Sequence, residues 1–312
     1  MKIRLGYACI SKTLDITTSH TITFTNYQKL KEENRKKTLT EIIDKNLDNL
    51  ERILIYNIKN NIHFYRMSSK IFPLATHELV NYDALKIFNE KLKHIGEIIN
   101  KNNLRVDIHL DPYCVLNSTN KEVVNSTINI IKFYKNMLKA LNIKTNMIMH
   151  VGSNVFGKQK SITRFINNFK LLDEESKKLI ILENDDKIFN IEDTLKICKT
   201  LNIPMVLDYH HHICNNDNLN LKNYIEEIFK TWKNNTPKIH LSSPKNKKEF
   251  RSHHDYIKIE DFINLTQEIK IDKDFDIMIE AKQKDEALFK LTRELKYKDY
   301  KFIDETTINL TK

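Results

Sequence analysis

Among the 312 residues, imidazoles and carboxylates suited to binding a divalent cation recur in one kind of place. His109, His150, Glu183, Asp208, His240 and Glu280 each lie near the end of a short β-rich run: RVDIHL, NMIMHVG, LIILEN, PMVLDY, PKIHLS and DIMIEAK. A set of nitrogen and oxygen donors without a thiolate suits zinc, manganese or iron in a reactive centre rather than a structural zinc–thiolate staple. One histidine in a strand is more often a hydrogen-bonded core residue than a ligand. Six such positions at corresponding ends need another explanation, because unpaired carboxylates inside a fold are costly to desolvate. Divalent cations remove that cost.

Two further places add candidates. In VLDYHHHIC, strand parity pairs Asp208 with His210 if the strand continues, whereas His211 is reached if it ends. His253 and His254 follow PKIHLS in a loop that can reach back over the same end. With one histidine from each place the groups number eight, and one ion needs three or four, so two or three ions are implied. Such clusters activate water and clamp the oxygens of a phosphodiester. Sugar isomerisation uses paired metals as well, so the count alone leaves it open. Parity also puts Lys238 beside His240 and Lys282 beside Glu280. An ammonium there would repel cations unless it has a counter-charge or is chemically modified. For Lys282 an ordinary salt bridge is expected. His20, His63, His77 and His94 are assigned no role.

The elements that must place these groups are eight runs, each followed by a segment with helical spacing of apolar residues. They are Ile3–Cys9, Phe64–Ser68, Arg105–Leu110, Asn146–Gly152, Leu179–Asn184, Pro204–Tyr209, Pro237–Ser242 and Asp276–Lys282. TEIIDKNLDNLERILIYNIKNN and TINIIKFYKNMLKALNIK show the helical repeat clearly. Alternating strand and helix means a parallel sheet, and eight units close an α/β (β/α)8 TIM barrel, expected as a single domain over residues 1–312. Its active sites lie at the C-terminal ends of the strands, where the six residues fall. An open doubly wound sheet is the rival, but its glycine-rich first turn is missing.

Composition narrows the function. Lysine and arginine number 51 against 41 acidic residues, a formal charge of +10 that favours a polyanionic partner. Lysine-, asparagine- and isoleucine-rich tracts also fit a bias of the source genome. Four scattered cysteines, with no C-x-x-C, suggest neither a zinc ribbon nor a disulfide framework, and fit a reducing, cytoplasmic setting. No run is apolar and long enough for a membrane span, and no signal-peptide core opens the chain. With four glycines there is no phosphate-cradling loop, so no nucleotide cofactor is expected. The loops following the strands carry Lys29, Lys31, Arg35, Lys36, Lys37, Lys245, Lys247, Lys248 and Arg251, with Tyr7, Tyr113, Tyr209 and Tyr256 among them. Positive charge interleaved with aromatics is what a nucleic-acid groove needs.

Several motifs in order, LGYACISKTL, YRMSSKIFPLATHE, His109 to Tyr113, MHVGS, ILEND, LDYHHH, PKIHLSS, HHDYI and IMIEAKQKDEAL, resemble the UV damage endonuclease family over nearly the whole chain. The resemblance implies a TIM-barrel DNA repair enzyme related in fold to endonuclease IV. Its substrate would be damaged double-stranded DNA, cut immediately 5′ to UV photoproducts to leave a 3′-hydroxyl, by a chain acting as a monomer. The resemblance further implies a manganese-favouring cluster of two or three ions. His109, His150 and Glu183 would hold one ion; Glu183 would bridge to a second on Asp208, His240 and Glu280; His211 and His253 would hold a third. The family's D-x-x-H spacing selects His211 over His210.

Glu183, Lys238, His240 and Glu280 are then the candidate catalytic residues, with Lys238 a candidate N6-carboxylysine. Tyr7, Ser11, Ser68, Ser69, Lys70, Pro112 and Tyr113 are candidates for DNA and lesion contact. Two positions depart from the family: Pro112 stands where a glutamine is expected before Tyr113, and Ser11 replaces an asparagine. A proline stiffens the loop and removes polar contacts, which leaves the lesion range open. An abasic-site endonuclease is the alternative reading, and a sugar isomerase or a non-catalytic DNA-binding barrel are more remote ones.

Overall fold

Most barrel-strand residues are buried on both faces, which is why MIMH, IILE and MVLD read as unbroken apolar runs up to their last residue. The computed structural model describes residues 1–310. Eight parallel strands, β1 (Lys2–Ala8), β2 (Phe64–Met67), β3 (Arg105–His109), β4 (Met147–His150), β5 (Ile180–Glu183), β6 (Met205–Asp208), β7 (Lys238–Leu241) and β8 (Phe275–Ile279), follow one another in space. Pairing of β8 with β1 closes the (β/α)8 barrel. All eight expected strands are present, with ends shifted by a few residues.

Local sequence explains the helices between them. Asn120 caps the N-terminus of Lys121–Leu141, and Asn142 ends it in the left-handed region with φ 51°. Asn190 and Asp193 form a reciprocal capping box at the start of Ile191–Leu201. The helix after β1 already begins at Glu32, so Arg35, Lys36 and Lys37 stand in its first turns rather than in the preceding loop. Arg35 donates to the Gln28 and Leu30 carbonyls, which is structural work.

Two features were not anticipated. A C-terminal hairpin, β9 (Lys301–Phe302) and β10 (Thr307–Asn309), pairs antiparallel with Lys2–Arg4 of β1. There it covers the part of that strand's edge that β2, paired to Gly6–Ala8, does not reach. The barrel interior is also divided in character. On one side Ile148, Ile181 and Val206 pack on Trp232, whose indole donates to the Met205 carbonyl at 2.7 Å. On the other side the inward positions are charged: Arg4, Arg105 and Asp276 low down, Asp107 and Lys238 above them, and Arg66 above those.

Gly6 marks where the barrel closes most tightly, since a Cβ at that position would lie 2.2 Å from the Phe64 carbonyl oxygen. The obstacle is backbone, so the strands themselves must part. Gly6→Ala is expected to destabilise the fold by about 1–3 kcal/mol, measured by urea unfolding followed by the emission of Trp232, the chain's single tryptophan. An unchanged midpoint would show that β1 and β2 separate without cost.

Candidate metal centre

Parallel register puts His150 opposite Glu183 and Asp208 opposite His240, all at the C-terminal strand ends. The ladder thereby brings together two groups whose ligand atoms lie within 4.8 Å of one another: His109, His150 and Glu183, and Glu183, Asp208, His240 and Glu280. Glu183 belongs to both. Its Oε2 faces His109 Nε2 at 2.8 Å and His150 Nε2 at 3.9 Å, while Oε1 faces His240 Nδ1 at 2.8 Å.

Where β6 stops decides which histidine of VLDYHHHIC faces the acidic set. Asp208 ends the strand and caps the short helix Tyr209–Cys214, accepting from His211 N at 2.7 Å. One helical turn then brings His211 round to the acidic set, with Nδ1 3.6 Å from Glu183 Oε1 and 3.7 Å from Asp208 Oδ2. Parity would have selected His210, but parity holds only while the strand continues. His210 turns instead toward Phe250 and Cys214, and His212 is buried away from the set. In the loop after β7, His253 Nδ1 approaches Glu280 Oε2 at 4.0 Å. His254 accepts from Tyr256 N and orders its own loop. The rings of His211 and His253 lie 6.4 Å apart, flanking the two groups, but two histidines alone are fewer than the three or four protein ligands of an ordinary site.

The electrostatics of the site suit divalent cations. Burial pushes the Asp208 carboxyl well up; His211 draws it down, while the charges of Glu183 and Glu280 add to the rise. Burial would raise Glu183 as well, but His240, His150 and a hydrogen bond from His109 outweigh it and hold the group well below the usual carboxylate range. His211 is lifted to about 9, since burial is outweighed by Asp208, Glu183 and Glu280. Asp208 Oδ2 and His150 Nδ1 are buried without a hydrogen-bond partner. Clustered N and O donors, orphaned buried atoms and crowded carboxylates fit divalent cations.

Lys238 finds its counter-charge in Asp107, to which its buried Nζ donates. Burial, partly offset by Asp107, lowers its pKa to about 8. Lys282 lies beyond the end of β8, exposed, and among the described residues makes no ion pair, so the expected salt bridge is absent. Sequence reasoning passed over Arg66. Its buried guanidinium donates to Glu280 Oε1 at 2.6 Å and meets His240 Nε2 at 2.6 Å. The signal was present, because a charge inside the four-residue apolar run FYRM is rarely accidental.

The candidate DNA contacts divide. Tyr7 is wholly buried and donates to Asn57 Oδ1 at 2.8 Å, so it cannot reach a ligand outside. Ser11 is buried as well, bonded to Asp285 of the last helix, and Ser68 is buried against Ser19. Tyr209, expected at the rim, is buried with its hydroxyl on Glu268. Tyr7 and Tyr209 are taken up by the helices Glu32–Lys59 and Ile259–Glu268, Ser11 by the last helix, and Ser68 by Ser19 of the loop after β1. Lys70 and Pro112 are exposed, and Tyr113 is 66% exposed with its hydroxyl on Asp111, which also accepts from Ser69. His77 is stacked on Phe24, His63 is paired with Asp304 and His94 approaches Glu51, so these histidines do structural work.

Closed barrel and site together define a TIM-barrel protein with a candidate divalent-cation centre at its C-terminal mouth. The chain belongs to the UV-endonuclease UvdE family, whose profile matches residues 3–310. It is 41% identical over 303 residues to a UV DNA damage endonuclease of Bacillus mycoides (strain KBAB4), covering 95% of each chain. It is 40% identical, at the same coverage, to the enzyme of that name from Bacillus cereus (strain B4264). The crystal structure of SacUVDE superposes with a TM-score of 0.86 at 32% identity, covering 95% of this chain and 99% of that one. A D-psicose 3-epimerase from Clostridium cellulolyticum H10, with a TM-score of 0.51 at 10% identity over 73% of this chain and 78% of its own, shares the fold alone. No helix among the described residues is long and apolar enough to cross a membrane.

Proposed function

We propose that this chain is a metal-dependent DNA endonuclease that nicks immediately 5′ to UV photoproducts and leaves a 3′-hydroxyl. It would work as a monomeric, single-domain enzyme of the cytoplasm with manganese as the favoured ion. The observation that carries this reading is the pair of ligand groups sharing Glu183 at the barrel mouth, in a chain of the UvdE family. His109, His150, Glu183, Asp208, His240 and Glu280 would hold two ions, and His211 with His253 would complete a third site. When bound, such ions activate water and neutralise charge on the reacting phosphodiester oxygens. The chain's own part is to fix the ligands. Glu183 spans both groups, Asp208 sets His211 by capping its helix, and Asp107 holds Lys238. Lys238 would support the site from below, as an ammonium on Asp107 or, as the family resemblance implies, in the N6-carboxylated form.

DNA would be engaged by the loops of the same face. Tyr113, Phe156 and Phe250 are exposed there by 66, 73 and 40%, offering stacking surfaces, with Lys70, Lys247 and Lys248 beside the backbone path. Pro112 gives the Tyr113 turn a stiff, unpolar approach, which suits recognition of distorted shape. Tyr113→Ala is expected to weaken binding to irradiated duplex by ~10-fold, from a stacking contribution of about 1–3 kcal/mol, and to leave the metal content unchanged. Fluorescence anisotropy with irradiated and intact duplexes checks this, and equal weakening on both would remove Tyr113 from lesion recognition.

The test of function is nicking of UV-irradiated, abasic and intact supercoiled plasmid with manganese, with and without chelator. Cleavage of the irradiated form that the chelator abolishes is expected. Preference for the abasic plasmid would make the chain an abasic-site endonuclease on the same centre. Binding without cleavage would leave a DNA-binding barrel and overturn the enzyme assignment.

A further inference from the structure

Arg66 is charged, almost wholly buried and in contact with two of the residues that form the second ligand group. Its Nη1 donates to Glu280 Oε1 at 2.6 Å, its Nη2 meets His240 Nε2 at 2.6 Å, and its Nε lies 3.6 Å from Asp107 Oδ1. A guanidinium can only donate, so His240 accepts through Nε2. The ring's proton then sits on Nδ1, which donates to Glu183 Oε1 at 2.8 Å and lies 3.3 Å from Glu280 Oε1; a cation taking Nδ1 would move that proton to Nε2 and end the contact with Arg66. On Glu280 the fork engages one oxygen, and the other, Oε2, faces His253 at 4.0 Å. The guanidinium therefore fixes the rotation of the Glu280 carboxylate. No neighbour can do this instead, because Lys238, the other buried cation, is tied to Asp107.

We propose that Arg66 is a positioning residue for the group Glu183, Asp208, His240 and Glu280, holding the Glu280 carboxylate in the orientation in which it binds a divalent cation. The inference rests on the metal-dependent reading above. Two effects of Arg66 on a bound cation oppose each other. Its charge repels the ion, yet Glu280 beside it matches that charge, with Asp107 beneath shared between Arg66 and Lys238. Its fork, directed at Glu280 and Asp107, removes rotational freedom from the Glu280 carboxylate, and partners of this kind typically contribute 10–100-fold in metal affinity. Orientation therefore outweighs repulsion. A lysine at this position would keep the charge but present a single point donor in place of the fork.

The experiment titrates metal-stripped wild type, Arg66→Lys and Arg66→Met proteins with manganese, counting unbound Mn2+ by electron paramagnetic resonance. Wild type is expected to take up at least two ions per chain. Both variants are expected to keep the ion held by His109, His150 and Glu183 and to bind the other ~10–100-fold more weakly. Added guanidinium should restore part of the loss in Arg66→Gly. Circular dichroism and metal-free unfolding establish that each variant is folded; should Arg66→Met fail to fold, Arg66→Lys still decides. Uptake by Arg66→Lys equal to that of wild type would overturn the proposal, since it would leave charge alone as the role of Arg66. Wild type binding no manganese would sink the metal-dependent reading itself, and this inference with it.

Discussion

Glu183→Ala is expected to abolish nicking of irradiated plasmid, by ~10^3-fold or more, and to strip the protein of most of its bound metal. The size follows from what is lost: a catalytic metal contributes several kcal/mol to stabilising the transition state, and each 1.4 kcal/mol is a factor of ten in rate. Glu183 is the one residue common to both ligand groups, with Oε2 serving His109 and His150 and Oε1 serving His240 and His211. The fold should survive the change. The imidazoles around Glu183 can stand neutral, so no buried charge is stranded, and Asp208 is relieved of a like-charged neighbour. The metal-free variant loses the hydrogen bonds of Glu183 to His109 and His240 and is expected to unfold below the temperature of metal-free wild type, yet in one cooperative transition, a result that general damage to the barrel would not give. Irradiated-plasmid nicking, metal content by mass spectrometry and scanning fluorimetry check the three statements. Normal cleavage would show that the centre lies elsewhere. Glu183→Gln should fall between, since it keeps the shape and one acceptor oxygen but gives up the charge.

What the chain discloses about itself depends on whether the cause is local. The eight strands were legible because strands buried on both faces are rich in apolar and β-branched residues, and the six candidate ligands because they recur at the ends of those runs. His211 was not legible from parity, since it depends on the strand stopping at Asp208 and a helix beginning there. Lys238 looked electrostatically awkward because Asp107, which neutralises it, is 131 residues away in the chain. Tyr7 looked like a surface reader because nothing nearby shows that Asn57, on the helix Glu32–Lys59, takes up its hydroxyl. The terminal hairpin rests on strands of two and three residues, too short for a periodic signal. Pattern thus revealed which residues line the barrel, while their pairing needed the fold.

The floor of the barrel gives the second large effect, on stability rather than chemistry. Asp276 is wholly inaccessible; it accepts from Arg4 at 2.6 and 2.7 Å and from Arg105 at 2.5 Å, and stands opposite Lys238 in the sheet. Arg105 is further placed with its guanidinium carbon 5.3 Å from the ring centres of both Phe64 and Trp232. Asp276→Ala strands two guanidiniums below an ammonium, and removing one partner of a buried ionic group costs about 3–5 kcal/mol. The lower end is expected, because Arg4 and Arg105 border a water-accessible cavity of about 560 Å3 at this end of the barrel and can turn toward it. The cost comes from unmatched positive charge rather than lost contact. Replacing Arg105 by methionine in the Asp276→Ala background should therefore recover part of the stability, although a second contact is then gone. Urea unfolding followed by far-ultraviolet circular dichroism tests this, since Trp232 emission would itself respond to Arg105. A double mutant less stable than Asp276→Ala would mean that Arg105 acts by packing on Phe64 and Trp232, and that the charged floor is incidental to it.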